Sequence, residues 1–457
     1  MDAALTDGAR GPATCAAVLV AAPASGQGKT TVASALARLH ARQGRRVRAF
    51  KCGPDFLDPQ WLALASGAPV HSLDLWITGE ADARARLHAA ACEADLIVVE
   101  GVMGLFDGEP SAADLAQRLG LPVLAVIDVG AMAGTFGALA HGLQSYRPGL
   151  PWAGVLANRV AGERHGEMLR SSLRDPAHWL GGLPRSPDFG LPERHLGLVA
   201  SAELDDGLAR LDAAADALAA TPMGQGGLAA LPQVDFAAPP AAAPVPALLA
   251  GRTIAVARDA AFCFLYAANL DLLAQLGARL AFFSPLAGDA LPDCDALWLP
   301  GGYPELHAQR LAARTDLREA LHAHVAQGRA IWAECGGMMS LFDELVDKEG
   351  RSHRLWGLLP GRTVMQPRLA GLGSQWLAID GGLLRGHTFH YSRCETALAP
   401  LARSARPGAE PKADAGEALY AQGPVRASYF HAWFPSDPVA AARLFDGRPL
   451  LRTSASR

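Results

Sequence analysis

The chain has 457 residues, and its 41 Lys and Arg against 45 Asp and Glu give a formal net charge of −4. Half of the residues are hydrophobic and 19% are charged, so the chain can bury sizeable cores and global disorder is excluded. The length predicts roughly two or three domains. A near-neutral charge without a long basic run argues against a protein that mainly binds nucleic acid or an anionic membrane.

The cysteine pattern indicates a reducing compartment. Seven cysteines are scattered along the chain without a CxxC pair, which argues against a zinc site and against a disulfide framework. We therefore expect a cytoplasmic protein. The first ten residues contain two Asp and no apolar core, so we expect no signal peptide, and the apolar stretch Cys15–Pro23 is too short to cross a bilayer.

Short apolar runs alternate with helical stretches from Ala16 to about residue 200. The runs are typical of buried strands and lie at Ala16–Ala22, Arg46–Lys51, Leu96–Glu100, Pro122–Asp128 and Trp152–Asn158. Helical composition and spacing occur between them, at Lys29–Arg42 and Ala112–Leu119. This alternation predicts an α/β domain with a parallel sheet that is flanked by helices on both faces.

A glycine-rich turn joins the first predicted strand to the first predicted helix, with the sequence APASGQGKTT. Its glycines allow successive N–H groups to point at one anion, and the helix that follows adds the positive end of its dipole. Lys29 would reach the β and γ phosphates of a nucleotide, and the Thr30 hydroxyl would hold Mg²⁺. The usual pattern has glycine where this chain has Pro23, and a simple strand-to-helix turn is the alternative. We predict a nucleotide site that comprises Gly26, Gly28, Lys29, Thr30 and Thr31.

Charged residues end two further strands of the same predicted sheet. Lys51 and Glu100 lie at carboxyl ends of strands, where open α/β sheets bind their ligands. Glu100 could bind Mg²⁺ directly or through water. The alternatives are a surface lysine and an exposed carboxylate at a strand end.

An acidic loop follows Lys51, with two carboxylates three residues apart between prolines. Asp55 and Asp58 could bind a metal ion or a substrate in a loop that Pro54 and Pro59 stiffen. A tight turn with aspartate as turn former is an equally good interpretation.

Composition changes between Thr221 and Ala250, which are rich in Pro, Gly and Ala. We expect a linker there, since prolines would break a helical hairpin. The alternation then restarts, with strands expected at Ile254–Ala257, Ala278–Phe283, Ala296–Leu299 and Ala330–Ala333, and helices at Phe262–Leu276 and Glu305–Gln327. The predicted organisation is a tail (1–13), a first domain (14–220), a linker (221–250) and a second α/β domain (251–450).

A candidate thiol nucleophile lies in the second domain. Cys335 stands between a predicted strand and a glycine-rich turn that opens a helix, and such a helix end would lower the pKa of the thiol. The backbone N–H groups of Gly301, Gly302 and Gly336 could form an oxyanion hole. A nucleophilic thiol needs a proton acceptor, for which His431 and His390 are candidates. The alternative is a buried structural cysteine.

Seven motifs in one order make the chain resemble a known family. They are APASGQGKTT, FKCGPDFLDP, VVEGVMGLFDG, LPGGYPE, AECGGMM, GHTFHYSR and SYFHAWF. The chain resembles the cobyrinic acid a,c-diamide synthases, including the hydrogenobyrinic acid form, over roughly residues 15–440. The resemblance implies a P-loop domain of the dethiobiotin synthetase type, followed by a class I glutamine amidotransferase domain. It further implies ATP- and glutamine-dependent amidation of the a and c acetates of a corrin ring through acyl phosphates, with Mg²⁺ accompanying ATP.

The resemblance also implies roles for particular residues. Lys51 matches the lysine that contacts the transferred phosphoryl group, and Cys335 and His431 match the glutaminase nucleophile and its base. A loop for metal and substrate selection would comprise Asp55, Phe56, Leu57, Asp58 and Asp107, and the metal site would comprise Thr30, Glu100 and Asp55.

The chain departs from the family at two places. The family more often has Tyr-Ile where this chain has Phe56 and Leu57, and Trp433 occupies the place where class I amidotransferases usually carry a triad glutamate. What orients His431 stays open at this point, as do the order of the two amidations and whether the ring carries cobalt.

Other functions fit parts of the pattern. A related tetrapyrrole amidase, such as cobyric acid synthase or a nickel-sirohydrochlorin a,c-diamide synthase, is the nearest alternative. A partitioning-type nucleotide switch with an inactive thiol domain is the non-enzyme alternative. We expect ATP, glutamine and a corrinoid carboxylate as ligands, with no nucleic acid or membrane partner, and a homodimer as the default assembly of such an enzyme.

Overall fold

Nearly continuous apolar runs become the central strands of two separate sheets. A computed structural model describes residues 11–194, 197–198, 204–241, 244–380, 382–412, 415–448 and 450. The chain divides between residues 243 and 244 into two compact units, which we describe one at a time. No helix in the described ranges combines the length and the apolar character needed to cross a membrane.

The first unit is a parallel sheet with helices on both faces. Its strands are β1 (Ala13–Ala21), β2 (Val47–Cys52), β3 (His71–Leu73), β4 (Leu96–Glu100), β5 (Val123–Asp128), β6 (Trp152–Val160), β7 (Trp179–Pro184), β8 (Glu193–Arg194), β9 (Gly197–Leu198) and β10 (Gln233–Phe236). Its helices are α1 (Lys29–Arg42), α2 (Asp58–Ser66), α3 (Glu80–Ala91), α4 (Ala112–Leu119), α5 (Thr135–Ser145), α6 (Glu163–Ser172), α7 (Gly207–Ala219) and α8 (Pro222–Gly226). The order β3-β2-β4-β1-β5-β6-β7 is parallel throughout, and the predicted α/β class is confirmed.

Both faces of β1 are buried, which explains why its sequence does not alternate with polar residues. Ala17 and Leu19 pack in one apolar layer, while Val18 and Val20 pack in the layer on the other face. Each layer is closed by helices, as expected for a parallel sheet. Ligands of such a sheet bind beyond the carboxyl ends of its strands, where the glycine-rich turn emerges.

Part of the expected linker belongs to the first unit. Residues 222–236 contain α8 and β10, and β10 pairs antiparallel with β1. Val234 and Phe236 are buried, whereas Gln233 and Asp235 are exposed. The prediction of a linker from residue 221 is wrong for this stretch, because apolar residues at every second position fit an edge strand. Residues 237–241 and 244–247 form neither helix nor strand.

The second unit is built on a mixed sheet with two smaller sheets beside it. Its strands are β11 (Thr253–Ala257), β12 (Arg279–Phe283), β13 (Ala296–Leu299), β14 (Ala330–Glu334), β15 (Phe342–Val346), β16 (Ser352–Arg354), β17 (Leu359–Met365), β18 (Gly371–Ile379), β19 (Gly382–His390), β20 (Ser392–Glu395), β21 (Ala402–Arg403), β22 (Ala418–Gln422), β23 (Val425–Ser428) and β24 (His431–Trp433). Its helices are α9 (Ala267–Gln275), α10 (Ala308–Ala312), α11 (Thr315–Ala326), α12 (Gly336–Leu341) and α13 (Pro438–Arg443). The main sheet has the order β12-β11-β13-β14-β23-β22-β21, in which β22 and β21 are antiparallel to their neighbours.

Two predicted helices of this unit are shorter or broken. The segment before α9 is extended, since the Phe264 N–H donates to Gly301 O at 2.9 Å. The expected helix Glu305–Gln327 is interrupted between α10 and α11, where the Arg314 side chain donates to Asp289 O and to Asp316. Both expectations were wrong for the same reason, because hydrogen bonds to distant loops override local helix propensity.

Candidate active sites

The phosphate loop of the first unit is backed by the end of β6. Gly28 has φ 94°, in the left-handed region that favours glycine, and it caps α1. A Cβ at Gly28 would lie 2.2 Å from Asn158 Nδ2, and that same nitrogen donates to Gln27 O at 2.9 Å. The loop backbone is therefore held by a side chain near the carboxyl end of β6, which lies two strands from β1 in the sheet.

A cavity of about 340 Å³ lies at the carboxyl edge of this sheet. The predicted residues that line it are Gly26, Gly28, Lys29, Thr30, Thr31, Lys51, Asp55, Asp58 and Glu100. Residues from four strand ends and the glycine turn are thus brought to one place.

Two buried lysines end in this cavity. Lys29 Nζ donates to Ala24 O (3.1 Å) and Met103 O (2.7 Å), and burial, followed by the charge of Lys51, lowers its pKa. Lys51 Nζ contacts Asp58 Oδ2 at 2.7 Å and Glu100 Oε1 at 3.1 Å. Burial acts to lower the pKa of Lys51, but attraction to Asp58 and Glu100 outweighs it, so this lysine stays charged.

The carboxylates around Lys51 have different affinities for protons. Burial, with repulsion from Asp58, raises the pKa of Asp55 to about 7. Burial also raises the pKa of Glu100 to about 8, although Lys51 opposes it. For Asp58 burial acts in the same direction, but the contact with Lys51 holds the pKa below its ordinary value. An additional cation would therefore stabilise the ionised forms of Asp55 and Glu100.

The oxygen atoms of this cluster fit Mg²⁺. Thr30 Oγ1 donates to Glu100 Oε1 at 2.6 Å, while Glu100 Oε2 is buried without a hydrogen-bond partner. Among the described residues no group of three or more His, Cys, Asp or Glu could hold a metal ion by itself. A site with so few protein ligands suits Mg²⁺, which usually binds one or two protein oxygens together with substrate phosphates and water.

Three residues of the predicted substrate loop, Phe56, Leu57 and Asp107, do not line the cavity but lie in the two loops beside it. Asp107 Oδ2 accepts the Gly104 N–H at 2.9 Å and so shapes the turn after β4. Leu57 is buried, and Phe56 O accepts from the Gln60 side chain at 3.0 Å. These contacts stabilise the two loops that flank the cavity.

The second candidate site lies where β14 turns into α12. Cys335 has φ 46° and ψ −109°, which places it on a sharp turn at the N-terminus of α12. A Cβ at Gly336 would lie 2.9 Å from Gly302 N, and a Cβ at Gly301 would lie 2.4 Å from His431 Cε1. The turn, the predicted oxyanion loop and the predicted base are therefore packed against each other.

Burial opposes ionisation of the thiol, contrary to the expectation of a lowered pKa. Cys335 is 4% exposed, and burial raises the pKa of its thiol well above the ordinary value, with Glu305 adding to the effect. The short helix α12 favours the thiolate too weakly to offset this desolvation. A cavity of about 570 Å³ reaches its neighbours His390 and Tyr429, but Cys335 does not line it.

The two candidate bases have different surroundings. His431 is buried and stacks on His387, with ring centroids 4.9 Å apart, and burial lowers its pKa well below the ordinary value. His390 stacks on Tyr429 at 3.6 Å, and its Nε2 lies 3.1 Å from Glu417. The contact with Gly301 favours His431 as the base for Cys335.

Comparison with known proteins gives the family. The CobQ/CobB/MinD/ParA nucleotide binding domain matches residues 18–199, and the CobB/CobQ-like glutamine amidotransferase domain matches residues 253–439. The hydrogenobyrinate a,c-diamide synthase of Stutzerimonas stutzeri is 60% identical over 94% of this chain and 98% of its own length. The chain belongs to the a,c-diamide synthase family. The Pseudomonas aeruginosa relative, also named hydrogenobyrinate a,c-diamide synthase, is 58% identical over 94% of this chain and 98% of that protein. The cobyrinate a,c-diamide synthase of Herminiimonas arsenicoxydans is 47% identical over 94% and 96%.

The sequence patterns did not indicate several residues that line the first cavity or lie near His431. The cavity of the first unit is also lined by Asn158 and Arg159 near the carboxyl end of β6, and by Arg185 and Phe189 after β7. Their place at strand ends was a usable signal, since all strands of a parallel sheet end at one edge. Glu334 and His387 were also missed, because only the folded chain brings them to His431.

Proposed function

We propose that the chain amidates the a and c acetate side chains of hydrogenobyrinate, with ATP as the activating substrate and glutamine as the nitrogen donor. Family membership makes it a glutamine amidotransferase of cobalamin biosynthesis that forms carbon–nitrogen bonds. The observation that carries the proposal is near-complete coverage at 60% and 58% identity by relatives named for the metal-free ring. The relative named for cobyrinate is more distant, at 47% identity.

The first unit would activate the carboxylate. A carboxylate oxygen attacks the γ-phosphorus of ATP, and the bond between that phosphorus and the oxygen that bridges it to the β-phosphate breaks. ADP departs, and the substrate carboxylate has become an acyl phosphate. Ammonia then attacks the acyl carbon, the bond from that carbon to the bridging oxygen breaks, and the nitrogen loses one proton to the departing phosphate, which leaves the amide and inorganic phosphate. Lys29 and Lys51 would neutralise charge on the phosphoryl oxygens, and the loop N–H groups would position them.

Thr30 and Glu100, with Asp55 nearby, are the residues that would hold Mg²⁺. The ion would supply neutralisation of phosphate charge. The hydrogen bond from Thr30 to Glu100 orients both oxygens before a nucleotide binds. Lys51, fixed between Asp58 and Glu100, would direct its ammonium toward the transferred phosphoryl group.

The second unit would release ammonia. The Cys335 thiol gives its proton to His431 as sulfur attacks the amide carbon of glutamine. The N–H groups of the Gly301, Gly302 and Gly336 loops would hold the oxyanion. His431 then protonates the departing nitrogen, ammonia leaves, and water hydrolyses the thioester to glutamate.

Mass spectrometry of the product tests this function. Hydrogenobyrinate and cobyrinate are supplied separately with ATP, Mg²⁺ and glutamine, and we expect two hydroxyl groups to be replaced by amino groups, faster on the metal-free ring. Amidation at carboxylates other than a and c would instead indicate a cobyric acid synthase. ATP hydrolysis that no tetrapyrrole stimulates would indicate the nucleotide switch.

A further inference from the structure

The acid of a class I amidotransferase triad is absent from its usual place, since Trp433 stands two residues after His431. Trp433 is buried, and its ring packs edge-on against Tyr266 with centroids 5.0 Å apart. An indole carries no acceptor, so it cannot hold the Nδ1–H of an imidazole. The group that orients His431 must therefore come from another part of the unit.

Glu334, the residue directly before the nucleophile, places its carboxylate beside His431. Its Oε2 lies 4.0 Å from His431 Nδ1, and the exposed fractions of the two side chains are only 2% and 1%. Glu334 Oε1 accepts from Trp332 Nε1 at 2.8 Å and from the Ala432 N–H at 3.2 Å. The carboxylate is thus fixed between β14, which leads to the nucleophile, and β24, which begins with the histidine.

The other carboxylates near the thiol are engaged differently. Glu417 Oε1 accepts from Thr388 at 2.9 Å and lies 3.1 Å from His390 Nε2, so it pairs with the other histidine. Glu305 acts on the thiol by its charge. Glu334, by contrast, lies in ion-pair range of His431 itself.

We propose that Glu334 is the positioning residue that completes the glutaminase site, in place of the missing triad acid. It would hold the proton of His431 on Nδ1, which leaves Nε2 to accept the proton of Cys335. A closure of about 1 Å on glutamine binding brings Nδ1 and Oε2 into hydrogen-bond range. When Nε2 takes the thiol proton, the imidazolium forms beside a carboxylate, and the same proton later leaves with ammonia.

The charge state of this site depends on pH. Burial raises the pKa of Glu334 to about 8, while hydrogen bonds from Trp332 and Ala432 oppose it. His387 and His390 face His431 and disfavour its charge, and Glu305 and Glu417 act on the thiol. If the ionised carboxylate is the active form, kcat/KM for glutamine hydrolysis rises with pH until Glu334 is ionised.

Glutamate release by the full-length Glu334→Gln enzyme tests the proposal. Gln preserves the shape and an acceptor for Trp332 but removes the charge. We expect kcat for glutamine hydrolysis to fall roughly 10²- to 10⁴-fold with KM changed less than about threefold. The rise with pH should disappear, and Glu334→Asp should restore part of the rate. A kcat within about threefold of wild type would overturn the proposal.

Glu417→Gln is the matched control, since it removes a carboxylate of the same size that serves His390. We expect it to lower kcat far less than Glu334→Gln; an equal loss would mean that general negative charge matters, which contradicts the proposal. Should Glu334→Gln fail to fold, Glu334→Asp decides, because wild-type kcat and pH profile in that variant would contradict a positioning role.

The proposal rests on the proposed function, and ammonium-driven amidation separates the two. Glu334→Gln should retain amidation of the ring from ammonium. If wild-type enzyme releases glutamate but amidates no ring from either nitrogen source, the proposed function fails while the role of Glu334 is still measured by glutamate release.

Discussion

Glu100 is the residue whose environment is best suited to an added cation. It is fully buried, shares one oxygen with Thr30 and Lys51, and leaves the other without a hydrogen bond. An ionised carboxylate at such a position is costly unless positive charge is added. A nucleotide-bound Mg²⁺ would supply that charge.

Replacing Glu100 by Gln should therefore raise the Mg²⁺ concentration needed for half-maximal amidation by about tenfold or more. The measurement is a Mg²⁺ titration at saturating ATP. Glu93→Gln, which alters an exposed carboxylate paired with Arg48, is the control. An unchanged titration for Glu100→Gln would assign the ion to Asp55 or Asp58.

Glu334 gives the second unit a predictable dependence of stability on pH. Its pKa is raised to about 8 by burial, from 4.5, so the folded state holds a proton that the unfolded state has lost between these values. Stability should therefore fall as pH rises through this window. Glu334→Gln should remove a loss on the order of 4 kcal/mol between pH 5 and pH 9.

Denaturant unfolding of both proteins at several pH values measures this effect. The difference between Glu334→Gln and wild type should grow in favour of the variant as pH rises. A difference that is constant with pH would show that Glu334 is ionised throughout, as an acid with an ordinary pKa would be.

The loop after β13 and the start of β24 are packed too closely for a side chain between them. A Cβ at Gly301 would approach His431 Cε1 to 2.4 Å. Gly301→Ala should displace the imidazole and lower glutamine-driven amidation by roughly 10²-fold, while ammonium-driven amidation persists. The measurement is the steady-state rate of amidation with glutamine and, separately, with ammonium.

Gly142→Ala in α5 is the control, because nothing lies within 4 Å of the added methyl group. We expect it to leave both rates near wild type. Equal loss of both activities in Gly301→Ala would indicate a folding defect rather than a displaced base.

Elements set by local sequence were predictable, whereas those set by distant partners were not. The bounds of α1 and α4 were predicted to the residue from helical composition and spacing. The strand β10 was missed because its partner β1 lies more than two hundred residues away in sequence. The break between α10 and α11 depends on contacts of Arg314 with another loop.

The residues of the candidate sites were likewise predictable where they are contiguous in sequence and not where the fold brings them together. Motifs predicted which residues of the phosphate loop and the cysteine turn come together, because each motif is contiguous in sequence. Spacing could not predict that the thiol is buried and its pKa raised, since desolvation depends on the whole fold. Nor could it indicate Glu334 as a partner for His431, because their contact crosses between two strands.

Diamide formation by the proposed function requires two chemistries on one chain. In the proposed function, the glycine turn, two lysines and oxygen ligands of one unit would bind the nucleotide, and the thiol, histidine and glycine loop of the other would release ammonia. Neither chemistry alone forms the product, because glutamine hydrolysis gives only ammonia and phosphorylation gives only an activated acid. Their division of labour is the central claim.

Diamide formation by Cys335→Ala tests that claim most directly. With hydrogenobyrinate, ATP and Mg²⁺, we expect the glutamine-driven rate to fall at least about 10³-fold and the ammonium-driven rate to stay within about twofold of wild type. Equal loss from both nitrogen sources, or retained glutamine-driven amidation, would contradict the account.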